Sequence, residues 1–249
     1  MSASSREVAE VAAGVGVHGA GPGRGCRRLG LLLAAGLVMA SAARDAHGVP
    51  YEVDTARSEI AVLVFKGGVA SVFAHDHVVR AGRWQATLDV SVDPVALAAD
   101  VRVDATGLEV DEPDARVRLG LDGALSDADR AQVRASMLGA GQLDVARYPE
   151  IRFTASELDR TGDAREAGDD LGIATFRLAG ELRLHGQSRR IALPLSIARD
   201  GDAFTARGRV RVKQSDFGIE PYGALLGAVR TQDEVEIVFT LVAVPAATR

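Results

Sequence analysis

From about Tyr51 onward the chain alternates apolar and polar residues at a period of two, in short runs closed by Gly, Asp or Pro. Side chains on an extended strand point alternately to its two faces, so these runs predict strands with one dry and one wet face. Eight can be distinguished, at 59–66, 77–92, 99–106, 149–158, 175–184, 189–198, 204–213 and 234–244. The alternation is clearest where Phe176, Leu178, Leu182 and Leu184 interleave with Arg177, Glu181 and Arg183, and where Phe204, Ala206, Val210 and Val212 interleave with Thr205, Arg207 and Arg211. His185-Gly186-Gln187-Ser188 and Asp200-Gly201-Asp202 read as tight turns between neighbouring runs. One segment departs from the pattern: Ser126, then Asp127 and Asp129, opens a helix over 130–138 that stops at Gly139. Its stripe of Val133, Met137 and Leu138 is expected to lie against the sheet. The polar, glycine-containing stretch 161–172 reads as a hairpin loop within one domain.

Eight antiparallel strands and one short α-helix make an all-β domain over 51–245. Closing such strands into a barrel removes exposed edges, and an eight-stranded barrel is about the size that holds one small ligand. A sandwich shows the same alternation, so strand count alone leaves both architectures open.

Composition sets the class. Of 249 residues, 47% are hydrophobic and 25% charged, the profile of a globular chain that can bury a core. A net charge of -5, with no basic helix or aromatic-basic stripe, gives no attraction to phosphate backbones, and nucleic acid is not an expected partner. Ahead of the strands, Arg24, Arg27 and Arg28 precede the apolar run 29–39 and the small-residue site Ala40-Ser41-Ala42. Basic, apolar and small residues in that order describe a secretory signal peptide over 1–42, with a cut as late as 48, and the run is short for a membrane span. The expected destination is periplasmic or extracellular. The single cysteine, Cys26, falls in this leader, which leaves no thiol chemistry in the mature domain.

Candidate chemistry is sparse. His75-Asp76-His77 is the most suggestive stretch, because residues i and i+2 of an extended chain share a face and two imidazoles there could meet on one ion. A third ligand would have to come from His185, Asp216 or Glu220; the plainer reading has both histidines bonding loop backbone. The acidic residues mostly occupy turns, Asp111, Glu112, Asp114, Asp169 and Asp170 among them, where solvated carboxylates are ordinary. No nucleophile elbow, phosphate-binding glycine loop, paired-histidine zinc helix or dinucleotide fingerprint occurs, so neither an enzyme nor a cofactor is expected. Phe65, Phe73, Trp84, Phe153, Phe176, Phe204 and Phe239 are expected on inward faces, as core or as the lining of an open lumen. Trp84 is the preferred lumen residue, since its indole N–H can meet a head group while the ring packs.

Four stretches, in order, resemble the YceI-like family, a group of exported lipocalin-like barrels. They are Tyr51-Glu52-Val53-Asp54 with Ser58, then Tyr148-Pro149-Glu150-Ile151-Arg152-Phe153, then 180–186 (Gly-Glu-Leu-Arg-Leu-His-Gly), then Ser215-Asp216-Phe217-Gly218-Ile219. The resemblance covers about 51–244 and departs from the family pattern around Lys66-Gly67-Gly68 and 71–77. It implies a lipocalin-like eight-stranded barrel that binds a polyisoprenoid or fatty-acid-type ligand, in brief contact with a membrane surface. Oligomeric state is left open, a homodimer included. Two other readings stand beside this carrier: a metal-binding barrel using His75 and His77, and a filled barrel acting through its surface.

Overall fold

In the computed structural model the described residues are 49–92, 95–161, 175–224 and 228–246. The expected leader 1–42 with Cys26, and nearly all of the expected loop 161–172, lie outside them. The strands are β1 (Val49–Val53), β2 (Glu59–Gly67), β3 (His77–Ala81), β4 (Trp84–Val92), β5 (Val95–Asp104), β6 (Leu108–Val110), β7 (Glu150–Arg160), β8 (Phe176–Leu184), β9 (Gln187–Asp200), β10 (Ala203–Lys213), β11 (Gly223–Ala224) and β12 (Val229–Pro245). Two helices, α1 (Pro113–Arg118) and α2 (Asp127–Leu138), fall between β6 and β7.

The first six strands act as three bent ones. β1 pairs β4 while β2 pairs β3, and β4 pairs β5 while β3 pairs β6. From β5 the ladder runs on through β7, β8, β9, β10 and β12. It closes because β12 meets β2 from Arg230↔Gly67 to Thr240↔Glu59 and then β1 at Tyr51↔Pro245. The result is an up-and-down antiparallel barrel of eight strand positions, matching the eight alternating runs, and closure resolves the choice against a sandwich.

Alternation decides which side chains enter. On β2, Ile60 and Val62 face the lumen, whereas Ala61 and Leu63 face outward and are covered with Val78 by Ala115 of α1. The short α1 is a second helix where the sequence reading had only acidic turns. Its start carries Pro113 in the first turn and Asp114 beside it, both suited to a helix N-terminus.

The other helix begins with the Ser126 hydroxyl accepting from the Asp129 N–H at 3.2 Å. None of its residues is fully buried, and its stripe meets the barrel end instead of a sheet face. Val133, Met137 and Leu138 pack against the cluster of Val79, Ala81 and Leu108, whose side chains point into the lumen.

Between β9 and β10 the ladder stops at Gly208↔Leu195. The Thr175 N–H donates to the Leu195 carbonyl at 3.0 Å, so Leu195 turns its backbone toward β8. Pro194 therefore turns toward β10 with no N–H to give. The strands part above this point, and Phe217 and Ile219, both buried, fill the gap against Leu182, Val212 and Val235.

Candidate functional site

The inward faces leave a cavity of about 170 Å³. Every described side chain that lines it is aliphatic or phenyl, with Leu88, Ala99, Phe153, Ile191, Ala206 and Phe239 from six different strands among them. An engineered apolar cavity of about 150 Å³ stays dry and takes up guests of benzene size, so this space is suited to a short apolar segment and not to water.

Toward the α2 end a second space of about 450 Å³ adjoins it, and Val79 lines both. On β2 the inward series continues from Val62 in the cavity to Val64 and Lys66 in this vestibule. The vestibule is mixed: Val64, Val133, Met137 and Val229 supply apolar wall, and Lys66, His75, His77, Gln132, Tyr222 and Arg230 supply polar groups.

His77 is held by a buried polar chain. Its Nδ1 donates to Oδ2 of Asp111 at 2.6 Å. Asp111 is 1% exposed, and its other oxygen accepts from the Val78 N–H at 3.0 Å and from Nη1 of Arg116 at 2.6 Å. Arg116 is equally buried and also donates to the carbonyls of Asp76, Asp122 and Gly123. Burial raises the carboxyl pKa of Asp111, but the hydrogen bonds from His77, Val78 and Arg116 lower it further, and the net position is below the ordinary 3.8. The expectation of a solvated turn carboxylate at Asp111 is thus overturned: the residue follows β6 directly and points back under α1, where the Arg116 guanidinium completes its shell.

The two histidines are placed differently. Nδ1 of His77 is taken by Asp111, Asp76 accepts from the Lys66 N–H at 2.8 Å, and His75 is exposed at the vestibule edge. His185 is used elsewhere, donating from Nδ1 to the Phe217 carbonyl at 3.1 Å. Among the described residues, no three His, Cys, Asp or Glu side chains gather where they could hold an ion.

The seven aromatic candidates separate. Phe153 and Phe239 line the cavity. Trp84 stands opposite Val103 in the β4–β5 ladder and packs with Val79, Ala81 and Val103, all of which line the cavity; it is not itself among the lining residues, and it borders a separate recess with Arg80 and Gly82. Phe65 sits on the outer face with Leu63, Val78 and Leu119, because Val64 and Lys66 take the inward positions beside it. Phe176 and Phe204 lie at the end opposite α2: Phe204 meets Tyr51 edge-on at 5.3 Å, and the guanidinium groups of Arg160 and Arg199 cover the two phenyl rings. These rings close the floor. The side chain of Phe73 lies outside the described ones.

Lys66, Arg230, Gln132, Val133 and Met137 were not singled out as site residues from sequence. The helix stripe was visible there, but nothing in it told that the helix crosses the mouth.

Comparison with known structures agrees with this architecture. BcnA of Burkholderia cenocepacia superposes with a TM-score of 0.55 at 20% identity, over 79% of this chain and 100% of that one, which shows a shared fold. The YceI protein of Campylobacter jejuni gives a TM-score of 0.45 at 13% identity, over 68% of this chain and 85% of that one. No curated protein sequence matches. The YceI-like domain profile matches residues 51–243, the whole barrel from the opening Tyr51 to Ala243 on the closing strand, and the chain belongs to the YceI-like domain family.

Proposed function

We propose that this protein is an exported binding protein for an apolar, lipid-like molecule, with a stretch of isoprenoid or fatty-acid-type chain in the lumen and the polar end in the vestibule. The observation that carries the reading is the apolar lining of the cavity, uniform among the described residues, beside a mixed polar mouth. A filled core and a binding lumen use the same residues, but a filled core leaves no space of about 170 Å³. Each ligand methylene moved from water into such a lining contributes about 0.8 kcal/mol. A chain longer than the lumen continues past Val79 into the vestibule, where both environments are available. Holding and releasing a molecule needs no reacting group, and none is invoked.

The leader, with its basic, apolar and small residues in order, supports a periplasmic or secreted location. Exchange with a membrane surface fits the rim of the mouth, where Val69 is 94% and Val72 76% exposed. Their loop is fixed: the Ala70 N–H donates to the Ala228 carbonyl at 2.9 Å, and Lys66 Nζ donates to the Ala74 carbonyl at 3.1 Å.

The test is extraction and titration. Protein purified from its own host is expected to carry an extractable lipid by native mass spectrometry, and the stripped protein to enhance a fluorescent fatty-acid or isoprenoid probe saturably. No lipid and no enhancement above a denatured control would remove the reading.

A further inference from the structure

We propose that His77 selects ligands whose polar end is a hydroxyl, by accepting its hydrogen bond at Nε2. The inference rests on the lumen-binding reading above and adds to it the chemistry of the polar end.

The position follows from register. In the β2–β3 ladder Val62 stands opposite Val79 and Val64 opposite His77, so the four share one face of the sheet, the inward one. Val62 and Val79 line the cavity, Val64 and His77 line the vestibule, and Val79 lines both. On β3 the inward series from the lumen outward is Ala81, Val79, His77. The imidazole is therefore the first polar side chain met on this strand where the lumen opens into the vestibule.

Its partner decides which nitrogen is offered. Despite its burial, Asp111 has a carboxyl pKa below the ordinary 3.8, so the carboxylate accepts and does not donate. The 2.6 Å contact then places the proton of the neutral ring on Nδ1, and the lone pair falls on Nε2. Arg116 holds the carboxylate from behind through Nη1 while its guanidinium also bonds the carbonyls of Asp76, Asp122 and Gly123, so the acceptor that orients the ring is itself fixed. Among the described residues Nε2 has no partner, and the side chain is 20% exposed where it lines the vestibule.

A fixed, unpaired acceptor at the top of an apolar lumen is matched by a head group with a proton to give. A hydroxyl donates to Nε2 and leaves its own oxygen open to water in a vestibule of about 450 Å³. An ether, an ester or an ionised acid would set lone pairs against a lone pair and leave Nε2 unsatisfied.

The test uses the full chain at about pH 8, where free imidazole is neutral. The hydrocarbon probe diphenylhexatriene is displaced by decanol or by decyl methyl ether, which share one alkyl chain. Decanol is expected to compete about fivefold better, the advantage of one net hydrogen bond. His77→Phe is expected to bring decanol down to the level of the ether and to leave the ether unchanged. In wild-type protein carrying isotope-labelled histidine, the Nε2 resonance of His77 is expected to move upfield as decanol binds and not as the ether binds. That readout decides the matter even if the variant fails to fold. Equal competition by the two compounds, a preference that persists in folded His77→Phe, or an Nε2 resonance unmoved by decanol each overturns head-group selection and leaves lumen binding standing. Failure of the probe and of both compounds to bind would take the lumen reading down with it.

Discussion

The Nδ1 atom of His77 and the Oδ2 atom of Asp111 lie 2.6 Å apart, joining the wall of the vestibule to a carboxylate with almost no exposure. A buried anion is tolerated only when its partners are complete, and here three donors surround it.

Replacing Asp111 by Asn leaves the Arg116 cation buried without its counter-charge, and a loss of about 3–5 kcal/mol in unfolding free energy is expected. The folded-state pKa of Asp111 lies below its ordinary 3.8, so the unfolded chain binds the additional proton in acid. Its stabilisation is complete above the ordinary value and is lost as the pH falls through the folded one. Urea denaturation over a pH series should show wild type losing stability below about pH 4 more steeply than Asp111→Asn. Parallel pH curves for the two proteins would dismiss the network as a source of stability.

How much of this was legible in the sequence can be argued from the four family stretches. Tyr51 packs on Phe204 and Leu88, Asp54 caps its own turn, and Ser58 Oγ accepts from the Val242 N–H at 2.8 Å, so the first stretch closes the barrel onto the last strand. Tyr148 meets the His185 ring at 4.6 Å, His185 bonds the Phe217 carbonyl, and the Ser215 hydroxyl donates to Asp233 at 2.6 Å. Both turn residues of the β8–β9 hairpin have positive φ, +49° at His185 and +71° at Gly186, and a Cβ on Gly186 would stand 2.6 Å from the Tyr148 ring. Fixed stitches between strands leave a recognisable string, which is why fold and family could be read. The lumen and vestibule left none. Facing inward is a matter of parity along each strand, and one shift of register moved Phe65 outside while Val64 and Lys66 went in. Asp111 and Arg116 are close in sequence, but their burial depends on α1 folding back over β3, a tertiary event with no local signal.

Filling the lumen separates binding from folding. Ala206 lines the cavity on β10, and Ala206→Leu would place additional carbon atoms in space that is now open. The expected cost to stability is within about 1–3 kcal/mol, with probe binding strongly reduced. Melting temperature and probe titration on the same sample check this; binding undiminished in a folded variant would move the ligand out of the lumen.

Vesicle contact should depend on the rim and not on the barrel wall. Val69 and Val72 are exposed, so Val69→Asp with Val72→Asp should change stability by no more than about 0.5 kcal/mol each. Co-sedimentation with phosphatidylcholine vesicles, and the rate at which a fluorescent lipid passes from protein to vesicle, should both fall. Transfer at the wild-type rate would place membrane contact elsewhere.

The last expectation concerns α2, which covers the mouth while burying none of its residues fully. It is held by the Ser126 cap, by Arg134 donating to the Leu108 and Thr106 carbonyls at 2.8 and 2.6 Å, and by Arg130 on Glu112 at 2.5 Å. So few fixed contacts make it the natural element to open, because local opening draws on the least-buried parts of a fold. Ser126→Ala removes the N-cap and should weaken the helix by about 1 kcal/mol, roughly a fivefold rise in its open population. Amide exchange over 127–138 should accelerate while the barrel strands keep their protection, and a bound probe should dissociate faster by a similar factor. If exchange accelerates and dissociation does not, the ligand leaves by another route, and the parted strands above Pro194 become the place to look.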